Sequence, residues 1–167
     1  MTRTETIIQN TDGALSVIKN AAEWLQKTGK GHSEWWDPEN MNLEFFAEYA
    51  KPDEFYVLMK SNKPAAAVIL QKEQNLQDWS AVDKNKPKDA LYIHYVAVHR
   101  DFAGQNLVTD LIDFAESLAK KDGIDTLRLD TDADEPKLCS LYENLGFGRV
   151  EVLEEPNSRT ALYEKEL

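Results

Sequence analysis

The chain has 167 residues, 42% of them apolar and 29% charged, which suits one soluble globular domain with a real core and is too little for two comfortable ones. Thirty acidic residues against 19 basic ones give a formal charge of −11, which argues against a nucleic-acid binder and against docking on anionic membranes. Cys139 is the only cysteine, so an intrachain disulfide and a thiolate metal site are excluded. The first twenty residues lack the basic and apolar regions of a secretory signal, and no apolar run approaches the roughly 20 residues of a membrane span. A reduced, cytoplasmic protein is the expectation, with an acidic surface that first of all suits solubility and could also attract a cationic amine.

Residues 4–9 alternate enough to predict a strand. Asp12 can cap a helix whose apolar residues Leu15, Ile18, Ala22 and Leu25 recur at helical spacing, with Gly29 and Gly31 ending it. Trp35-Trp36-Asp37-Pro38 interrupts the pattern and reads as loop. Asn42 can cap a short helix carrying Phe45, Phe46 and Tyr49, stopped by Pro52. Residues 55–60 and 65–71 read as two strands joined by Ser61-Asn62-Lys63-Pro64, a hairpin signal. The polar stretch 73–89, with Trp79 and two lysine-rich segments, reads as an exposed loop.

Residues 91–98 form a mostly apolar strand rich in β-branched and aromatic side chains, as in the middle of a sheet. A short polar turn with one glycine follows, and then a helix striped by Leu107, Leu111, Phe114, Ala115 and Leu118 that ends at Lys120-Lys121-Asp122-Gly123. A strand feeding a turn whose amides open a helix is a common pyrophosphate site. Residues 126–130 predict a strand. Asp134-Glu135-Pro136 opens a helix holding Leu138, Leu141 and Tyr142 that stops at Gly146. Two short strands around Pro156-Asn157-Ser158 finish the chain. The order β-α-α-β-β-β-α-β-α-β-β is mixed α+β, a three-strand meander followed by βαβ.

This order, with two motifs, resembles the GNAT-type N-acetyltransferase superfamily over nearly the whole chain. The first motif is Val96-Ala97-Val98 followed by His99-Arg100-Asp101-Phe102-Ala103-Gly104-Gln105-Asn106-Leu107-Val108. It is similar to the family's V-A-V strand and Gln/Arg-Gly-x-Gly-x-Gly/Ala turn. The second, Leu141-Tyr142-Glu143-Asn144-Leu145-Gly146-Phe147, is similar to its L-Y-E-x-L-G-F closing helix. The resemblance implies a GNAT-like mixed, mostly antiparallel sheet with helices on both faces, a single acetyltransferase-like domain over 1–167, and acetyl-CoA as co-substrate with no metal. It implies direct transfer of acetyl to an amine of a small molecule or peptide.

The pyrophosphate of that co-substrate needs converging donors. The amides of Ala103, Gly104, Gln105, Asn106, Leu107, Val108 and Thr109, at the positive end of the long helix, can supply them. The resemblance implies a pantetheine arm paired with the backbone of Val96, Ala97 and Val98, where a main-chain amide could polarise the thioester carbonyl. Ala103 stands where the family has Gln or Arg, and Asn106 and Val108 where it has small residues. Asparagine tolerates left-handed backbone angles better than most residues. Val108 adds a β-branched side chain near the ligand. Arg100, in place of the usual proline, could add positive charge near a phosphate.

Tyr142 is the first catalytic candidate, since the resemblance implies a tyrosine beside the cofactor sulfur. A phenol with pKa near 10 stays protonated at neutral pH and can reprotonate the leaving thiolate; a purely packing role is the alternative. His94 is the candidate base, on the same side of its strand as Tyr92 and in the neighbourhood where many members carry a glutamate. A hydrogen-bonded structural histidine is the alternative. Trp35 and Trp36, between the first two helices, are candidate walls of the acceptor pocket and equally suited to capping the core; Tyr92 is a third substrate candidate. His32 and His99 read as loop residues, and three scattered histidines do not suggest a catalytic metal. Cys139 reads as a small buried residue. Glu135 falls where many members carry an asparagine that binds the pantetheine arm, and an ionised carboxylate cannot donate that hydrogen bond.

Two rival readings remain at this level. One is a non-catalytic GNAT-fold module that binds CoA or another partner, suggested by Ala103, Asn106 and Val108. The other is a nucleotide-binding protein of a different fold, which would need a parallel sheet throughout. Small amines, polyamines, amino acids, aminoglycosides and protein N-termini are all open as acceptors. The terminal strands could pair between subunits of a homodimer.

Overall fold

Asn10, not Asp12, starts the first helix. In a computed structural model, which describes residues 5–30 and 33–167, Asn10 is extended and its side-chain oxygen accepts the Gly13 amide at 2.9 Å. Asp12 falls inside the first turn, where its charge faces the positive dipole end. The expected strand residue Thr4, and Gly31 and His32, lie outside the described residues. The chain divides into two compact units, Met1–Leu70 with Tyr95–Phe114, and Gln71–His94 with Ala115–Leu167.

The first unit begins with β1 (Glu5–Gln9) and α1 (Thr11–Lys27). Trp35 and Trp36 fall in a single 3₁₀ turn, Glu34–Trp36, capped by Ser33, and Pro38–Asn40 makes a second, capped by Asp37. Asn42 caps α2 (Leu43–Phe46) as expected, by accepting the Phe45 amide at 2.9 Å. The helix ends at Phe46, short of Tyr49, and Pro52 opens a further 3₁₀ turn instead of stopping a helix. β2 (Phe55–Lys60) and β3 (Lys63–Gln71) are antiparallel, and β1 is antiparallel to β2. Their connection is two residues, not four: Ser61 and Asn62 have φ of 50° and 64°, the left-handed pair that matches strand twist in a tight hairpin. The core joins Ala14, Val17, Ile18 and Ala22 of α1 to Phe46, Phe55, Val57, Ala67, Ile69 and Ala97.

β4 (Leu91–Val98) has the expected bounds and runs through both units. α4 (Leu107–Lys121) begins in the first unit and ends in the second. The second unit holds β5 (Thr126–Asp132), α5 (Pro136–Asn144), β6 (Gly148–Glu155) and β7 (Ser158–Glu166). The start of β4 is parallel to β5, with Leu91, Tyr92 and Ile93 opposite Leu127, Arg128 and Leu129. β5 and β7, and β7 and β6, are antiparallel. The seven strands run in the order β1-β2-β3-β4-β5-β7-β6, a mostly antiparallel sheet in an α+β protein.

The stretch 73–89 is not an exposed loop. It contains α3 (Ser80–Asp83), with Trp79 fully buried beside Ala90, Tyr92 and Leu162. Arg128 holds it in place, its guanidinium 4.5 Å from the Trp79 ring and hydrogen-bonded to Asp83. The polar composition conceals two anchors, one aromatic and one charged.

Candidate functional site

The strand-turn-helix segment of the first unit is built on left-handed residues. Tyr95 has φ of 53° in the middle of β4, an outlier for an aromatic residue that costs about 1–3 kcal/mol and persists where the surroundings impose it. Its ring lies 4.8 Å from Trp36 and 4.9 Å from Phe46, and its hydroxyl donates to the Trp35 carbonyl. The kink turns the main chain out of the regular pleat just before Val96-Ala97-Val98. Of these, Ala97 is buried and the two valines are half-buried.

After Val98 the His99 amide donates to the Ala65 carbonyl at 2.8 Å, and His99 caps a 3₁₀ turn, Arg100–Phe102. Gly104 and Asn106 then adopt φ of 81° and 61°. Among the described residues nothing lies within 4 Å of a Cβ built on Gly104, so backbone angle rather than space selects glycine there. Asn106 takes the left-handed angle that its side chain tolerates, and its amide oxygen accepts the Thr109 hydroxyl at 3.0 Å. The Ala103 and Thr109 amides are taken by the Arg100 and Asn106 carbonyls. Among the described residues no backbone carbonyl takes the amides of Gly104, Gln105 or Asn106. Leu107 and Val108, the first two residues of α4, have no intrahelical acceptor for theirs. Ala103 through Asn106 are exposed. This is a concentrated set of donors at a positive helix end. Arg100 spends its charge elsewhere: its guanidinium lies 3.8 Å from the Trp24 ring, and its amide donates to Asn20.

The second unit holds the candidate proton-transfer groups. Tyr142, on α5, is buried with its ring 6.1 Å from Phe147. Burial first, and then the Asp130 carboxylate, push its phenol well above the usual tyrosine range, so it is a protonated donor at neutral pH. His94, on β4, is 7% exposed. Its Nδ1 lies 3.4 Å from Asp130 Oδ1, while Nε2 is buried with no hydrogen-bond partner among the described residues. Asp130 was not singled out by the sequence; the only signal is a polar residue in the alternation of β5.

Tyr92 and His94 do share one side of β4, but their roles part. Tyr92 is 2% exposed, faces Trp79, and its hydroxyl accepts from Arg128 at 3.2 Å. The Tyr92 hydroxyl is therefore engaged by the arginine. Trp35 and Trp36 are half-buried; Trp35 meets Phe45 and Tyr49 edge-on at 5.8 and 5.1 Å. Cys139 is a buried free thiol whose sulfur contacts the Asp132 carbonyl. Among the described residues no helix is long and apolar enough to cross a membrane, and no cluster of three or more His, Cys, Asp or Glu is placed to hold a metal.

The mostly antiparallel sheet, the left-handed turn opening α4 and the buried tyrosine of α5 define a class. The chain belongs to the acetyltransferase (GNAT) family, whose pattern matches residues 18–147, and it is an acetyltransferase. Among its relatives, the uncharacterized N-acetyltransferase YesJ of Bacillus subtilis (strain 168) is 25% identical over 162 residues, spanning 96% of this chain and 87% of that protein. A GNAT-family acetyltransferase from Listeria monocytogenes superposes with a TM-score of 0.72 at 23% identity, covering 98% of this chain and 95% of its own. The NatC complex bound to Gag peptide and CoA superposes with a TM-score of 0.66 at 15% identity over 98% of each chain. These last two likenesses establish the fold.

Proposed function

We propose that this acetyltransferase is an acetyl-CoA-dependent N-acetyltransferase that moves acetyl directly onto an amine of a small molecule or peptide. The observation that carries the proposal is the turn at the start of α4, where left-handed Gly104 and Asn106 leave consecutive amides without backbone acceptors. That donor set fits a pyrophosphate. The name of the Bacillus relative and the CoA and peptide in the NatC complex support the same chemistry.

In this scheme the amides from Gly104 to Val108 bind the pyrophosphate, flanked by Ala103 and Thr109, whose own amides are held by the Arg100 and Asn106 carbonyls, and the backbone of Val96, Ala97 and Val98 aligns the pantetheine arm. The amine nitrogen attacks the thioester carbonyl carbon; a C–N bond forms and the C–S bond breaks. His94 Nε2 takes the proton from the nitrogen, and the Tyr142 hydroxyl gives its proton to the departing sulfur. Trp35 and Trp36 offer aromatic faces to the acceptor. Acetyl-CoA turnover against polyamines, amino acids, aminoglycosides and peptide N-termini tests this, read by thiol release and by the mass of the N-acetyl product. Release with at least one class, lost in Tyr142→Phe, is expected. Turnover untouched by Tyr142→Phe would remove the acid role, and no release with any class would remove the function.

A further inference from the structure

We propose that Asp130 is a positioning residue that holds the His94 proton on Nδ1 and so presents Nε2 as the bare proton acceptor. The proposal rests on the reading of His94 as the base. Its starting point is the ladder between β4 and β5. Tyr92 lies opposite Arg128, and Ile93 opposite Leu129. His94 and Asp130 are the next residues along each strand, so by the two-residue period they share a face with Tyr92 and Arg128. Tyr92 with Arg128 is thus a lower rung of the ladder, and His94 with Asp130, one step past its last paired residues, stands where an upper rung would be.

The lower rung is closed. Arg128 is 1% exposed, and each of its three nitrogens has an oxygen partner: Nε has Glu164 at 2.9 Å, Nη2 has Asp83 at 2.7 Å, and Nη1 has Asp83 at 3.1 Å and the Tyr92 hydroxyl at 3.2 Å. The upper rung is open. His94 Nδ1 faces Asp130 Oδ1 at 3.4 Å, and the buried Nε2 has no hydrogen-bond partner among the described residues. Buried polar atoms are nearly always paired, and leaving one unpaired costs stability. A carboxylate can only accept a hydrogen bond, so the nitrogen that faces it carries the hydrogen and the far nitrogen carries the lone pair. The orphaned atom is thus the one able to accept a proton. The 3.4 Å separation is long for a finished hydrogen bond, as is common before substrate binds.

The same carboxylate acts on the other proton-transfer group. Asp130 keeps 28% of its side chain exposed, and it is the charged group that, after burial, opposes ionisation of Tyr142. One carboxylate therefore favours a proton on the near side of His94 and keeps the proton on Tyr142. The first effect suits a His94 that receives a proton; the second fixes Tyr142 in its protonated form and makes it the weaker acid.

Long-range proton–nitrogen NMR correlation on the full-length protein reads the His94 tautomer directly. The Nδ1–H form is expected in the wild type, and a loss of that preference in Asp130→Asn. Turnover in Asp130→Asn should fall about tenfold or more, in the range for removing a partner that orients a working histidine, with the acetyl-CoA KM unchanged. An Nε2–H tautomer in the wild type overturns the proposal without any variant. An unaltered tautomer or unaltered kcat in Asp130→Asn does so too. Full turnover in His94→Gln instead removes His94 as the base and Asp130's catalytic role with it, while leaving the acetyl-transfer function standing.

Discussion

Arg128 grips Asp83 through two nitrogens, with Nη2 2.7 Å from Oδ1 and Nη1 3.1 Å from Oδ2. The pair joins strand β5 to the helix α3, and both side chains are almost wholly buried. Breaking a buried pair from one side strands the other charge, which costs about 3–5 kcal/mol. Glu164 still holds Nε in Asp83→Ala, so the lower end, about 3 kcal/mol, is expected. Urea unfolding measures it; a loss below about 1 kcal/mol, typical of a surface pair, would contradict the anchoring role.

The same pair makes stability depend on acid. The hydrogen bond from Arg128, more than any other interaction, holds the Asp83 carboxyl below its ordinary 3.8, with burial opposing it. A carboxyl that is more acidic folded than unfolded contributes stability in full above the unfolded value. The contribution is lost as pH falls through the folded value. The stability gap between wild type and Asp83→Asn should stay constant above pH 3.8 and close below it. A gap that closes well above 3.8 would show that another group governs it.

Asn106 at φ of 61° sets the turn's tolerance. Asn106→Gly should bind acetyl-CoA as the wild type does. Asn106→Val places a β-branched residue at a left-handed angle, a strain of about 1–3 kcal/mol, so affinity should fall roughly fivefold or more. Equal affinities for both variants would show that the turn's conformation does not control binding.

Tyr142→Phe keeps the ring against Phe147 and removes only the hydroxyl. If the phenol reprotonates the sulfur, kcat should drop by about 10²–10⁴ with little change in the acetyl-CoA KM. A rise in KM at constant kcat would make Tyr142 a binding residue instead.

Much of the fold was legible because periodicity reports which face is buried. The bounds of β4, the stripe of α4 and the cap at Asn42 all follow from local pattern. Asn106's left-handed angle also follows from its chemistry. What was hidden depends on partners distant in sequence. Trp79 and Asp83 look like members of a solvated stretch until Arg128, far along the chain, claims both. Tyr95 sits in a run that reads as regular strand, and its left-handed angle goes with ring contacts to Trp36 and Phe46, both distant in sequence. Tyr92 and His94 look equivalent by alternation, yet one is consumed by Arg128 and the other faces Asp130 with a nitrogen to spare. No local signal separates them, because the difference lies on β5.

The most direct test of acetyl-CoA dependence is calorimetric titration of the full-length protein with acetyl-CoA. Saturable one-to-one binding is expected, in the roughly micromolar to millimolar range usual for an enzyme's substrate, weakened by Asn106→Val. No binding heat with the cofactor at about millimolar concentration, the top of that range, would contradict it.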